Sequence, residues 1–335
     1  MGALSGPFRG IGRCAAPAPF GHEAFESTPV LNWRRTKPQP GWVAMAPQGG
    51  RVHAVHVVSE AGRKPALRWA CTEAWADPAQ ALRALRRTRP LQQHRTVALL
   101  QHAQYQLLTL DAPDLPRAEW RDAMRWRLKD MVDFPVDNAG IDVIDIPADP
   151  QQRRQPSLIA ITAPRSALQP LADAASDAGA PWHAIDVPET ALRNIAVLAA
   201  AAGRGEALLH VGRAHSTLVV TAQGELLMSR HIEVTLDQLS EPDAGLRQQS
   251  FERACLELQR TLDNVERQFS HANLARLQVA PGAPLLAFIE YVRDLVYVPV
   301  SAFDLARLID LSAVPGLTDP TEQAAYLPAI GAALR

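Results

Sequence analysis

Two separated stretches of this 335-residue chain read as the same object, and that repetition constrains the fold more than any single motif. Residues 41–46 are apolar and meet a Gln48-Gly49-Gly50 turn, followed by an alternating return over 51–58 and a third short strand at 66–71. Residues 207–211, 216–221 and 225–232 repeat the pattern, joined by a turn at 212–215 and by Gln223-Gly224. Alternation of apolar and polar residues between glycine-bearing turns marks antiparallel meanders. Each meander is followed by helices and further strands. A helix over 78–89 precedes a pair of short strands at 96–100 and 105–110. A helix over 251–269 precedes a strand at 277–280, a helix at 285–295 and a last strand at 298–301. Two such units predict a two-lobed α/β protein.

Punctuation sets the expected boundaries. Residues 1–40 are rich in Gly, Pro and Arg without a period of 2 or 3.6, so they read as a disordered leader ending in a short basic cluster. Gly203 and Gly205 separate a first lobe over 41–203 from a second over 204–311, leaving 312–335 as a C-terminal tail. Within the first lobe, a helix over 117–132 places Trp120, Met124, Leu128 and Met131 on one face. Arg117, Arg121, Arg125 and Lys129 form a second stripe on it. Strands follow at 141–146 and 157–162, the second apolar enough to be central. Helices at 166–178 and 188–198 flank a strand at 182–187. The 251–269 helix carries Phe251, Ala254, Cys255, Leu258, Leu262, Val265 and Phe269 on one face.

Composition excludes several classes. With 34 basic and 35 acidic residues, no global field draws the chain to nucleic acid or acidic lipid. Only Lys37, Lys64 and Lys129 are lysines; the arginine excess reads as a coding bias. Cys14, Cys71 and Cys255 lie far apart, which excludes a disulfide framework and zinc-ligand spacing and fits a reducing compartment. No run approaches the roughly 18–20 apolar residues that span a bilayer. Arg9, Arg13, Pro17 and Pro19 interrupt the start, against a signal peptide. The expectation is a soluble, cytosolic protein.

Candidate chemistry is sparse. The turns at 46–50 and 212–217 can offer backbone N–H groups to a phosphate. A magnesium-bound nucleotide also needs carboxylate oxygen. The second turn is preceded by His210, and the first has no Asp-x-Gly, so both read as plain hairpin turns. His53 with His56, and His210 with His215, are the close histidine pairs; on strands, spacings of three and five point the two rings to opposite faces, and no metal is expected. No Gly-x-Ser-x-Gly occurs, and Cys255 reads as a buried, inert thiol. Asp142 and Asp145 mark the solvent edge of their strand. The arginine stripe has Asp122 and Asp130 at pairing distance and reads as a solvated face. Trp120, Trp126 and Phe134 read as core, with one exposed docking aromatic as the alternative.

Several blocks, in order, resemble the PilM-like proteins of type IV pilus assembly, and the MshI members in particular. They are the helix at 116–135 closing on Phe134-Pro135, the strand at 141–146 and the helix start at 185–194 (Ile185-Asp186-Val187-Pro188-Glu189). The strand at 225–230 and the helix block at 257–263 (Glu257-Leu258-Gln259-Arg260) complete the set. The resemblance spans about residues 41–310 and implies an actin-like ATPase (ribonuclease H-like) fold. It implies an inserted subdomain at about 107–162 of the first lobe and a reduced subdomain in the second. It also implies a cytosolic protein held at the inner membrane by a PilN/MshJ-type bitopic partner, with other pilus assembly proteins nearby. Trp120, Arg121, Arg125, Trp126 and Phe134 are the partner-binding residues it suggests.

The departures bear on mechanism. The family's first phosphate loop is Ala44-Met45-Ala46-Pro47-Gln48-Gly49 here, and its second is His210-Val211-Gly212-Arg213-Ala214-His215-Ser216; both lack the acid. The adenosine loop is reduced to Pro281-Gly282-Ala283, and 232–251 is short for a full fourth subdomain. Gly49, Gly50, Gly212, Ser216, Thr217 and Gly282 are then vestiges of a nucleotide site. The expected function is a non-catalytic cytosolic scaffold of pilus biogenesis without cofactor. The alternatives are a weak ATP/Mg-binding ATPase of the same fold, and a GspL-like component of type II secretion.

Overall fold

Gly49 and Gly50 both adopt positive φ (56° and 73°). Two such residues make the tight turn whose twist matches antiparallel strands. The turn folds β1 (Trp42–Gln48) back on β2 (Arg51–Val58), with Gln48 opposite Arg51, and β3 (Ala66–Ala74) continues the meander. The computed structural model describes residues 39–147 and 155–335; the leader expected at 1–40, but for its last two residues, and Cys14 lie outside the described residues. Asp77 caps α1 (Pro78–Thr88), its carboxylate accepting from the Gln80 N–H, and Pro78 opens the helix. Next come β4 (Arg95–Leu99), β5 (Gln106–Asp111), α2 (Trp120–Leu128), β6 (Gly140–Asp145) and β7 (Ser157–Ala163). The first half closes with α3 (Arg165–Ala178), β8 (Ala184–Asp186) and α4 (Pro188–Ala199).

The second half holds β9 (Gly205–Val211), β10 (Ser216–Ala222), β11 (Glu225–Ile232), α5 (Leu236–Leu239) and α6 (Ala244–Gln268). It ends with β12 (Leu274–Ala280), α7 (Leu286–Arg293), β13 (Val300–Ala302), α8 (Leu305–Leu308) and α9 (Pro320–Ala333). The two larger sheets have one topology: β3-β2-β1-β4-β8 and β11-β10-β9-β12-β13, each a three-stranded antiparallel meander extended by two parallel strands. A third sheet, β5-β7-β6, is inserted between β4 and β8, with β7 central. Between β11 and α6 only α5 intervenes, which is the reduced subdomain of the second half.

Two helices join the large sheets. α9 lies on β1, β2 and β4, α4 lies on β9, β10 and β11, and the two helices pack on each other. Their facing residues Ala191, Leu192, Ile195, Leu327 and Ile330 are fully or almost fully buried in a core that continues through both sheets. The outer face of the first sheet has its own core with α1 and α3, and the inserted sheet another with Met124 and Leu128 of α2.

Several expectations change. The strands at 96–100 and 105–110 do not pair; β4 runs parallel to β1, and β5 joins β7 in another sheet. A capping box on Gln101 and Gln104 closes a 3-10 turn at His102–Gln104 that redirects the chain between them. The helix expected over 117–132 is a 3-10 turn, Arg117–Glu119, followed by α2, which stops at Leu128. Asp130 and Asp133 just beyond it oppose the negative end of a helix dipole. The helix expected from 251 begins at Ala244, because Asp243 accepts from the Leu246 N–H, a cap that precedes any apolar period. The 312–335 segment, expected as a tail, contains the buried helix α9.

A Cβ built on Gly331 of α9 would land on the Ala191 carbonyl oxygen, whereas one on Gly316 meets nothing within 4 Å. Gly331→Ala should therefore cost about 1–3 kcal/mol in urea unfolding, and Gly316→Ala less than about 0.5 kcal/mol.

Candidate functional site

The two hairpin turns that could hold a phosphate meet each other. Gly212 opens the 212–215 turn, its N–H bonding the His215 carbonyl at 3.0 Å. A Cβ at Gly212 would lie 2.8 Å from that carbonyl oxygen and 3.5 Å from the Gln48 amide nitrogen of the first hairpin. Ser216 donates its hydroxyl to the Val234 carbonyl at 2.6 Å, and Thr217 is buried beside it. Gly49 and Gly50 have open space around them, so backbone conformation alone requires glycine there. Gly282 lies against β13, where a Cβ would stand 2.6 Å from the Phe303 carbonyl oxygen.

His210 stands where the resemblance places a carboxylate. Its Nε2 lies 2.7 Å from the Ala324 carbonyl of α9, to which it donates. Burial holds this imidazole below its ordinary range, with the bond to Ala324 pulling the other way. His53 lies under Tyr326 of α9, ring centroids 4.9 Å apart, and Thr72 Oγ1 bridges His53 Nδ1 (3.1 Å) and the Tyr326 hydroxyl (2.7 Å). Burial, then the charge of Arg51, bring His53 down to about 4. The helix α9 thus occupies the side chains of both hairpins. With no carboxylate at either turn, Gly212 facing Gln48 and the Ser216 hydroxyl engaged, the residues present do not fit a magnesium-bound triphosphate.

His53 and His56 separate as their strand spacing predicts, whereas His215 lies in the turn after β9 and not on a strand. His56 reaches the Pro40 carbonyl (3.1 Å) and the His94 ring (4.2 Å between centroids), away from His53. His215 meets the rings of His102 and His231, with His210 also near enough to act on it. Among the described residues no group of His, Cys, Asp or Glu has metal-binding geometry. Cys255 is buried on α6, and burial pushes its thiol up.

Beside these turns lies a buried acid–phenol pair that spacing does not reveal. Tyr105, just before β5, donates to Glu189 Oε2 at 2.5 Å; Glu189 sits in the first turn of α4 and is 5% exposed. Burial pushes the Glu189 carboxyl up, and the Tyr105 bond acts against that shift. Burial, then the Glu189 charge, push the phenol up. Asp186, ending β8, accepts from Thr190 and pairs with Arg335, whose guanidinium lies 5.8 Å from the Trp42 ring centroid. These residues are 84 and 149 positions apart in sequence, and no local pattern announces them.

On the inserted subdomain, Met124 and Leu128 of α2 are fully buried, Trp120 is half-buried and Trp126 is 79% exposed. Core packing is therefore corrected for Trp126: it lies on the face opposite Met124 and Leu128. The arginine stripe is engaged across the subdomain and not along its own helix. Arg117 pairs with Asp145 at 2.7 Å and covers the Trp120 ring, and Arg121 pairs with Asp142 at 2.6 Å. Arg125 donates to the carbonyls of Val136, Asp137 and Ala139. The solvated stripe paired to Asp122 and Asp130 is thus replaced by ties to β6, which lies alongside the short helix; Asp142 and Asp145 are the acceptors. Such half-exposed pairs are worth about 0–1 kcal/mol each. Phe134 is half-buried.

Tyr105→Phe should cost about 1–3 kcal/mol in urea unfolding, the loss of a donor to a buried carboxylate. Glu189 titrates higher folded than unfolded, so its contribution to stability falls as pH rises from the ordinary carboxylate range through the raised value. Removing the phenol raises Glu189 further, so the gap between variant and wild type should widen as the pH rises above the ordinary carboxylate range. A gap independent of pH would show that the phenol does not hold the carboxylate.

No family model matches this chain, and no curated protein matches it significantly. Solved structures do. The structure titled "PilM-PilN type IV pilus biogenesis complex" matches with a TM-score of 0.69 at 18% identity, covering 89% of this chain and 99% of that one. The cytoplasmic domain of EpsL, an inner-membrane component of the type II secretion system of Vibrio cholerae, matches at 0.44 with 13% identity over 78% of this chain and 84% of that one. A Bacteroides thetaiotaomicron protein described as having an actin-like ATPase fold matches at 0.46 with 8% identity, over 87% and 99%. Among the described residues no helix is long and apolar enough to cross a membrane. The duplicated five-stranded sheets, the helix pair between them and the inserted third sheet give this chain the two-lobed actin-like fold, in the arrangement seen in the PilM structure.

Proposed function

We propose that this chain is a non-catalytic scaffold of type IV pilus biogenesis that binds the short cytoplasmic tail of a PilN-type inner-membrane protein. One observation carries the reading: the likeness to the PilM chain of a PilM–PilN complex runs over nearly the whole of both proteins. In this reading the lobes are 41–203, with an insert at about 107–162, and 204–311. The protein works at the cytoplasmic face of the inner membrane, held there by its partner. Within that frame the MSHA-type system, with an MshJ-type partner, is the finer assignment, supported by the sequence blocks at 185–194, 225–230 and 257–263. Gly49, Gly50, Gly212, Ser216, Thr217 and Gly282 serve turns and packing in place of a nucleotide. The partner surface is the inserted subdomain. Trp126 is its free aromatic anchor, Trp120 and Phe134 flank it at partial burial, and Arg121 and Arg125 shape the subdomain from within. A large exposed aromatic is the kind of residue that dominates binding energy once desolvated.

Thermal unfolding with and without about 5 mM Mg-ATP tests the first half of this reading. A ligand present at about 100 times its Kd adds about 2.7 kcal/mol, a rise of several degrees. No rise is expected. A clear rise that Gly212→Asp abolishes would restore the nucleotide-gated alternative.

Calorimetric titration with a synthetic peptide of the PilN-type tail from the same cell tests the second half. Trp126→Ala should weaken binding about 10-fold or more while changing stability by less than about 0.5 kcal/mol. Unchanged affinity would move the partner site off α2.

A further inference from the structure

Three histidines far apart in sequence meet where the two halves of the chain face each other. His102 and His231 are stacked, with ring centroids 3.9 Å apart and planes within 4°. His215 lies 4.4 Å from His231 and 5.3 Å from His102. They come from three different elements: the 3-10 turn between β4 and β5, the turn between β9 and β10, and β11. One therefore belongs to the segment that leads into the inserted subdomain, and two belong to the second sheet.

We propose that His102, His215 and His231 form a proton-operated catch: as neutral rings they stack and hold the 212–215 turn against the 102–104 turn, and with two of them protonated they drive those elements apart. A parallel stack at this spacing suits two neutral imidazoles and repels two imidazoliums. His102 is exposed and His215 and His231 are half-buried, so protons reach the cluster. His231 Nδ1 is buried without a hydrogen-bond partner, so no carboxylate or carbonyl at that atom compensates a positive charge.

The groups facing the cluster set its direction. Toward His102 stand Tyr105, at 6.0 Å between centroids, and the Glu189 carboxyl. Toward His215 stand His210 of β9 and the other two rings. Burial and those three histidines bring His215 down to about 4. Toward His231 stand Arg230 and Glu233 of its own segment; burial and then His102 lower it, and Glu233 acts against them. A group held below its unfolded value contributes stability above about pH 6.5 that is lost as the pH falls toward its folded value. The catch therefore holds at neutral pH and weakens on acidification. Because His102 sits in the connection to β5, release acts where the inserted subdomain is attached.

The test compares the wild-type chain with His102→Gln/His231→Gln in chelator-containing buffers. The other buried histidines are common to both proteins and their effects cancel. Between about pH 7.5 and about pH 5 the wild type should lose about 3–6 °C more in unfolding temperature than the variant. Should the double variant fail to fold, His231→Gln alone is expected to remove part of that difference. A second readout reports separation directly: spin labels on Ala103→Cys and Ala214→Cys, with Cys14, Cys71 and Cys255 replaced by Ala. Their distance should lengthen on acidification in the background that keeps the three histidines, and stay fixed in one carrying the two Gln substitutions. Equal losses of unfolding temperature in both proteins, or a label distance insensitive to pH, would overturn the proposal.

Discussion

The crossing of α4 and α9 is the contact on which the rest of the molecule depends. Each helix covers one large sheet, so neither sheet can bury its inner face unless the helices first pack on each other. That packing is close because Gly331 presents bare backbone to the Ala191 carbonyl, and Asn194 fastens it by donating to the Gly331 carbonyl at 2.9 Å. The same helices then reach outward. Arg193 of α4, 6% exposed, pairs with Glu225 of β11, and Ala324 and Tyr326 of α9 engage His210, Thr72 and His53. A side chain in place of Gly331 would push apart the pair that holds both sheets.

That arrangement also sets how the two hairpins are joined. Here protein groups do the bridging: Gln48 approaches Gly212, and α9 ties β9 to the first meander. Glycine persists at 49 and 50 because the turn needs positive φ there, and at 212 and 282 because backbone passes close by. Glycine at these turns is thus accounted for by backbone conformation and packing alone.

The inserted subdomain follows another logic. Its core is small, made of α2 and one face of three strands, and the arginines of α2 brace it from the side by reaching β6 and the carbonyls after α2. With those charges engaged internally, Trp126 stands exposed on the outward face of α2 beside Asp122 and Arg127.

The sequence by itself determined the local elements and their repetition. The glycine turns, the alternation over 51–58 and the apolar period of 251–269 act over a few residues, so the meanders, the long helix and the central strand at 157–162 are legible without coordinates. Strand partners, the end of α2 and the role of 312–335 are not legible in that way. Whether β5 pairs with β4 or β7 depends on a redirecting turn, and α9 reads as an unremarkable Ala-rich tail until two sheets need covering. The order of the sequence blocks from 116 to 263 was enough to anticipate the actin-like fold. The site resisted for a single reason: His102, His215 and His231, Tyr105 with Glu189, and His210 with Ala324 are joined by contacts spanning from sixteen to more than a hundred residues. Periodicity carries no information at that range, so only the packing of the two halves against each other decided which of these side chains would meet.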